Sequence, residues 1–256
     1  MSAKKGLKFL SIMISITTLF IFATSSICSS AVIGKVELFS TSSNGLKVRF
    51  QEVKDVSGTG DFVLDGANYD LVGDVLMTGC DLVSATSEFN TVSGQHVLLT
   101  FNATGQKKFA SATAELAKET NGLLGIIVGN ELISAPTVKE QINGPSAVIT
   151  GIFTAQETKD LADQITAGII YDTAYANLKI IPVTDQNKAI GGSYLPDSDV
   201  ALKVGTTSVA LKTDSAGKWS YSLPKRLAIG TKISIKVSLP SSVTVSKFTD
   251  VKPTAP

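Results

Sequence analysis

Short apolar and polar runs in this chain fall into two textures. Up to residue 65 it alternates β-like runs, "VIGKVELFS", "GLKVRFQEV" and "DFVLDG", with turn clusters such as "STSSNG" and "SGTG". "TSEFN", "TVSG" and "QHVLLTF" then read as a hairpin whose second arm is mostly apolar, as in a strand covered on both faces. In "ATGQKKFASATAELAKETNG" the period changes. Phe109, Ala112, Leu116 and Ala117 fall on one helical face, and Gly122 is a fitting stop.

"LLGIIVGNELISA" predicts two strands about a Gly129-Asn130 turn, and "SAVITGIF" predicts another strand. The segment "ELISAPTVKEQI" (131–142) is unusual because Pro136, which has no N–H to donate, interrupts an apolar strand. A second helix is expected from "TAQE", with Thr154 as cap and Glu157 as its reciprocal partner. Thr158, Leu161, Ala162 and Ile165 form its buried face, and Gly168 is its expected end.

From residue 178 to 250 helical periods cease. "LKIIPV", "VALKVG", "SVALKT", "KWSYSL", "KISIKVS" and "VTVSKF" are separated by evenly spaced turns, the pattern of a small β-sandwich. Residues 32–168 therefore predict an α+β domain, one antiparallel sheet with two helices on one face. Residues 169–177 are expected as a linker, 178–250 as an all-β Ig-like sandwich, and 251–256 as a disordered tail.

The first residues change the picture of compartment. Lys4, Lys5 and Lys8 precede an almost uncharged apolar run, residues 9–23, with small residues after it. That is the pattern of a signal peptide, residues 1–31. The run is about 15 residues long where a spanning helix needs roughly 20. Three fates stay open: cleavage after Ala31, retention as an anchor, or lipidation at Cys28. The mature chain is expected outside the cell or at the envelope surface, with membrane contact only through an uncleaved N-terminal segment.

Composition narrows the chemistry. Of 23 Lys/Arg, three lysines lie in residues 1–31, leaving 20 against 22 Asp/Glu, a net charge of −2. That balance argues against nucleic acid as a partner. Once Cys28 is removed, Cys80 is the sole cysteine, so no intrachain disulfide can form.

No residue constellation points to catalysis, a cofactor or a metal. His96 is the only histidine, on a predicted strand without a nucleophile in motif context, and reads as a strand-face or edge residue. Cys80 has no CxxC partner. Asp197, Asp199 and Asp214 lack the spacing of a calcium loop and read as turn aspartates. Trp219 reads as sandwich core rather than a sugar platform. Gly58 and Gly60 do not continue into a dinucleotide fingerprint. Asn102, in a formal glycosylation sequon, fits a turn or helix cap.

Three stretches, "DVLMTGCDLVSATSEFN", "VLLTFNATGQKKFASATAE" and "GIIVGNELISAPTVKEQINGPSAVITGIFTAQETKDLADQITAG", occur in the order and spacing of segments of SecD/SecDF protein-export subunits. Residues 74–168 resemble the head subdomain of their first large extracytoplasmic domain. "ISAP", "ITG-F" and "T-x-x-E-x-x-x-LA" are the most specific pieces. The resemblance implies a surface domain that contacts extended polypeptide. SecD-type subunits work through several membrane helices, whereas this chain has at most one N-terminal segment of that kind.

The second half is similar to bacterial Ig-like repeats of surface proteins, with Gly192, Pro196, Val200, Asp214, Gly217, Trp219, Leu227, Gly230 and Thr231 on their pattern. Such modules imply a spacer or adhesive unit. The expected function is an exported, non-enzymatic binding protein, its head-like domain contacting polypeptide as an accessory to export or extracytoplasmic folding. The alternative is a structural or adhesive surface protein with an Ig-like spacer. A sheet edge left uncovered would accept extended peptide through main-chain hydrogen bonds.

Overall fold

The computed structural model describes residues 47–151, 154–239 and 244–255. The expected leader, 1–31, and the first β run, 32–40, lie outside the described residues, as do Ile152 and Phe153 of the "ITGIF" strand. The chain divides into two compact units with the boundary between Asp172 and Thr173.

The first unit contains β1 (Val48–Val56), β2 (Phe62–Leu64), β3 (Ala67–Thr78), a 3-10 turn (Gly79–Asp81), β4 (Leu82–Asn90), β5 (Gly94–Phe101), α1 (Ala103–Leu116), β6 (Leu123–Val128), β7 (Glu131–Ser134), β8 (Ser146–Thr150) and most of α2 (Ala155–Asn177). These strands do not form the single sheet expected from the sequence. They form a five-stranded sheet of order β2-β3-β1-β6-β7 and a three-stranded sheet of order β4-β5-β8, both antiparallel.

The two sheets and both helices close on one core rather than presenting a shared helical face. Phe50 and Met77 come from the first sheet, Val97 and Leu99 from the second, Phe109 from α1 and Ile165 from α2, and all belong to one cluster. Phe109 sits 4.6 Å from the Phe101 ring and edge-on to Phe50 at 6.5 Å, separations typical of favourable aromatic pairs. Each such buried side chain stabilises the fold by about 1.5–3 kcal/mol relative to exposure.

Local chemistry sets the helix starts as the sequence predicts. The Asn102 side-chain oxygen accepts from the N–H of Thr104 (3.0 Å) and Gly105 (2.9 Å), capping α1. Thr154 and Glu157 form the reciprocal box at α2: Glu157 Oε2 accepts from Thr154 N–H, and Glu157 N–H donates to Thr154 Oγ1. Thr158, Leu161, Ala162 and Ile165 are buried as predicted.

The end of α2 differs. Gly168 does not stop it, and the helix continues to Asn177, so residues 169–177 are helical rather than an extended linker. Tyr171, Asp172 and Ala174 are buried beyond the glycine. Packing of that continued face outweighs the roughly 1 kcal/mol that a glycine costs inside a helix.

The second unit carries β9 (Lys179–Ile180), β10 (Ala189–Ser193), β11 (Asp199–Val204), β12 (Thr207–Lys212), β13 (Lys218–Ser222), β14 (Lys232–Ser238) and β15 (Thr244–Asp250). They pair as β13-β10-β9 and β12-β11-β14-β15, antiparallel throughout. Val200, Leu202, Val204, Ile233, Ile235 and Val237 are buried, and the residues between them face out or are only partly covered. That is the alternation of a sheet with one wet face.

Trp219 is buried directly opposite Gly192. A Cβ at Gly192 would lie 2.5 Å from the indole and 2.0 Å from the Lys179 carbonyl, so the glycine makes room for the ring. Residues 251–255, expected as a disordered tail, are held instead. Val251 is buried, Lys252 bridges Thr184, and the Thr254 N–H and hydroxyl both donate to the Asp185 carboxylate. No helix among the described residues is long and apolar enough to cross a membrane.

Candidate functional site

The "ELISAPTVKEQI" segment is built into the first unit's core. β7 pairs with β6, and beyond it the Pro136 carbonyl accepts from Leu124 N–H at 3.0 Å. Thr137 bridges Leu123, and Val138 N–H donates to the Gly122 carbonyl. Pro136 therefore contributes its acceptor where its missing donor is not needed. Leu132, Ser134, Val138 and Ile142 are all buried, and Ile142 N–H donates to the Thr113 hydroxyl on α1. The segment ties strand to helix.

The five-stranded sheet curls. Its edge strands β2 and β7 lie against each other over a small core of Val53, Ile127 and Leu132, with Phe62, Tyr69 and Ala135 packed on it. Neither edge is thereby an open flank. β4 is different: it pairs only with β5, and no strand among the described residues takes its other side.

Near the base of β4 the Thr166 hydroxyl of α2 donates to the Ala85 carbonyl at 3.3 Å. From Thr86 to Asn90 every residue is exposed. Val83 is 60% exposed, Phe89 66% and Val92, in the hairpin loop, 83%. A strand with unpaired main-chain groups and protruding apolar side chains presents both backbone hydrogen bonding and side-chain contact to an extended chain. Sequence reading identifies this hairpin but not which of its arms is the free edge.

A second concavity, about 420 Å³, lies between α1 and strands β1 and β3, with Glu52, Leu76, Lys108, Ala112 and Glu115 in its walls. Glu52 Oε1 stands 3.6 Å from Lys54 Nζ and accepts no hydrogen bond. Nothing in this lining pairs a nucleophile with a base.

The residues singled out for chemistry are dispersed. His96 is buried on β5, with Nδ1 3.0 Å from the Gly94 carbonyl and Nε2 3.8 Å from Glu88 Oε2. Cys80 lies on the 3-10 turn, where partial burial and then the Asp172 carboxylate push its thiol pKa up. That disfavours the thiolate a reactive cysteine needs. Asp172 itself is raised by burial, against the lowering effect of the N–H groups it accepts.

In the second unit, Asp214 Oδ1 accepts from Ala216 N–H and Lys218 N–H, closing a turn. Asp197 adopts a left-handed φ of 55° and Asp199 faces Lys212 across β11 and β12. Among the described residues no group of three His, Cys, Asp or Glu is placed to hold a metal ion. Gly58 and Gly60 lie between β1 and β2, with no helix following. The Asn102 Nδ2 donates to the Cys80 carbonyl at 2.8 Å, so both ends of this amide are engaged in the fold.

Residues 56–171 match the family model of the SecDF P1 head subdomain, reaching further in both directions than the 74–168 resemblance. The SecD translocase subunit of Rickettsia felis is 30% identical over 165 residues, covering 64% of this chain and 29% of the relative. That of Prochlorococcus marinus is 37% identical over 142 residues, 53% of this chain and 28% of the relative. The chain thus spans less than a third of the length of these relatives. A solved structure of SecDF in its super-membrane-facing form aligns at 26% identity and TM-score 0.40, over 48% of this chain and 19% of that one. Over residues 56–171, then, the first unit is similar to the head subdomain of SecD-type protein-export subunits.

Proposed function

We propose that this chain is an exported, non-enzymatic binding protein whose first unit contacts extended polypeptide along the free edge of β4, as an accessory to protein export or extracytoplasmic folding. One observation carries the reading: a unit similar to the SecD head leaves one flank of β4 without a partner strand among the described residues, with Val83 and Phe89 protruding. Main-chain pairing at such an edge asks little of the partner's sequence, which suits binding of unfolded chains.

In this reading residues 1–31 direct export and the second unit, with its seven described strands in two sheets, is an Ig-like spacer. The rival, a structural or adhesive surface protein, takes its support from that same second unit.

Photocrosslinking in the native cell tests the choice. A photoreactive residue at position 89 is expected to capture newly exported polypeptides or translocon subunits, while one at exposed Lys107 on α1 captures far less. Equal capture at both positions, or a single surface polymer at position 89, overturns the export reading.

A further inference from the structure

The two units carry opposite charge. Residues 32–172 hold nine Lys/Arg against 17 Asp/Glu, a net −8, and residues 173–256 hold 11 Lys/Arg against five Asp and no Glu, a net +6. Within the second unit four of these basic residues, with Asp199 and Asp250, share one surface, the solvent face of the sheet β12-β11-β14-β15.

Strand alternation and register place Lys203, Lys212, Lys232 and Lys236 on this face together with exposed Phe248. Lys203 lies across from Ser208 on one side and Ser234 on the other, and Ser234 is opposite Phe248. Lys236 lies between Ala201 and Ser246. Lys232 is paired with Asp250 at 2.9 Å. Among the described residues Lys203, Lys212 and Lys236 have no ion pair, although Asp199 faces Lys212 in register.

We infer that this face docks on an anionic lipid membrane surface. Around the lysines this face carries the small side chains of Ala201, Ser208, Ala210, Ser234 and Ser246, with Phe248 among them and Asp199 and Asp250 beside Lys212 and Lys232. Lysines without ion pairs beside an exposed aromatic match the chemistry of a bilayer interface, where anionic headgroups lie over an apolar layer. Each lysine near a negatively charged leaflet adds attraction that falls off within a Debye length. Phe248, 73% exposed amid this cationic face, is placed to enter the interfacial layer as aromatic side chains of membrane-bound proteins do.

The test is co-sedimentation of the full chain with phosphatidylcholine vesicles prepared with and without phosphatidylglycerol. Binding is expected to require phosphatidylglycerol, to weaken in high salt, and to fall by about tenfold or more in the Lys203→Glu/Lys236→Glu chain. A Phe248→Trp chain is expected to gain fluorescence quenching by brominated lipid over the background of buried Trp219. If the double glutamate chain misfolds, Lys203→Gln/Lys236→Gln is expected to show a smaller loss in the same direction. Vesicle binding that ignores these substitutions and leaves the tryptophan at 248 unquenched overturns the inference, since attachment would then lie elsewhere in the chain. Binding of soluble polyphosphate without vesicle binding overturns it equally, in favour of a soluble polyanion.

Discussion

Asp172, on α2, accepts a hydrogen bond from the backbone N–H of Gly79, 93 residues earlier, at 2.9 Å. The same Oδ2 atom accepts from Val48 N–H at 3.2 Å. One buried carboxylate oxygen thus joins the helix to the first strand and to the 3-10 turn before β4. No Cβ is tolerated at Gly79 without displacing Asp172, whose Oδ2 would lie 2.6 Å away.

Replacing Asp172 separates its two roles. Asp172→Ala leaves two buried N–H groups without an acceptor, and a loss of about 3 kcal/mol is expected in urea unfolding. Asp172→Asn keeps an acceptor oxygen and is expected to lose about 1 kcal/mol or less at neutral pH. Burial raises the Asp172 pKa above its ordinary 3.8, so its contribution to stability is fully present below that value and is lost as pH rises through the raised one. The stability difference between Asp172→Asn and the parent should therefore shift toward the asparagine chain as pH rises from below 3.8 to neutral. A difference independent of pH contradicts the assignment.

Gly192→Ala is expected to destabilise the second unit by about 3 kcal/mol, because the new methyl collides with the Trp219 ring and with a main-chain carbonyl that cannot swing away. Trp219 is the only tryptophan, so its emission reports on the second unit alone. The measurement is the denaturant midpoint of that signal. An unchanged midpoint would mean that the indole does not occupy the space above Gly192.

At the start of α2 the Thr154–Glu157 box makes a pH prediction of the opposite sign. Hydrogen bonds from the Thr154 backbone and side chain lower the Glu157 pKa below its ordinary 4.5. Its contribution is present above 4.5 and is lost as pH falls through the lowered value. Thr154→Ala is expected to cost about 1 kcal/mol at neutral pH, with faster amide exchange confined to the first turn of α2. Glu157→Gln should remove the acid-side loss of protection in that turn.

The sequence makes several of these features legible because each is set locally. The Asn102 cap, the Thr154 box, the Gly129-Asn130 turn and the buried stripe of α2 depend on neighbours a few residues apart. Strand pairing is not local. β1 lies between β3 and β6, so the division into two sheets and the exposed flank of β4 emerge only from long-range register.

β3, with Asn68, Asp70 and Gly73 among its residues, and β10, with Gly191 and Gly192, are weak strand formers that neighbouring strands hold in place. Gly168 reads as a stop, yet the buried side chains after it carry the helix on. The net charge of −2 over residues 32–256 is the sum of −8 from residues 32–172 and +6 from residues 173–256, so the near-neutral total hides the lysine face.

The "ELISAPTVKEQI" segment gives the sharpest contrast between contact and core roles. If it were a recognition loop, its side chains could be trimmed with little effect on folding. Leu132 and Val138 are each 5% exposed, and Val138 borders a small void of about 30 Å³ shared with Phe109 and Ile142. Leu132→Ala is expected to cost about 3 kcal/mol and Val138→Ala about 2 kcal/mol, the second eased where neighbours relax into the void. Lys139→Ala, on the exposed side directly after Val138, should change stability by less than about 0.5 kcal/mol. Urea unfolding of the three chains followed by far-UV circular dichroism decides the point. Three small and equal effects would restore the segment as a surface element, whereas the graded loss expected here makes it the strap that holds β6 to α1.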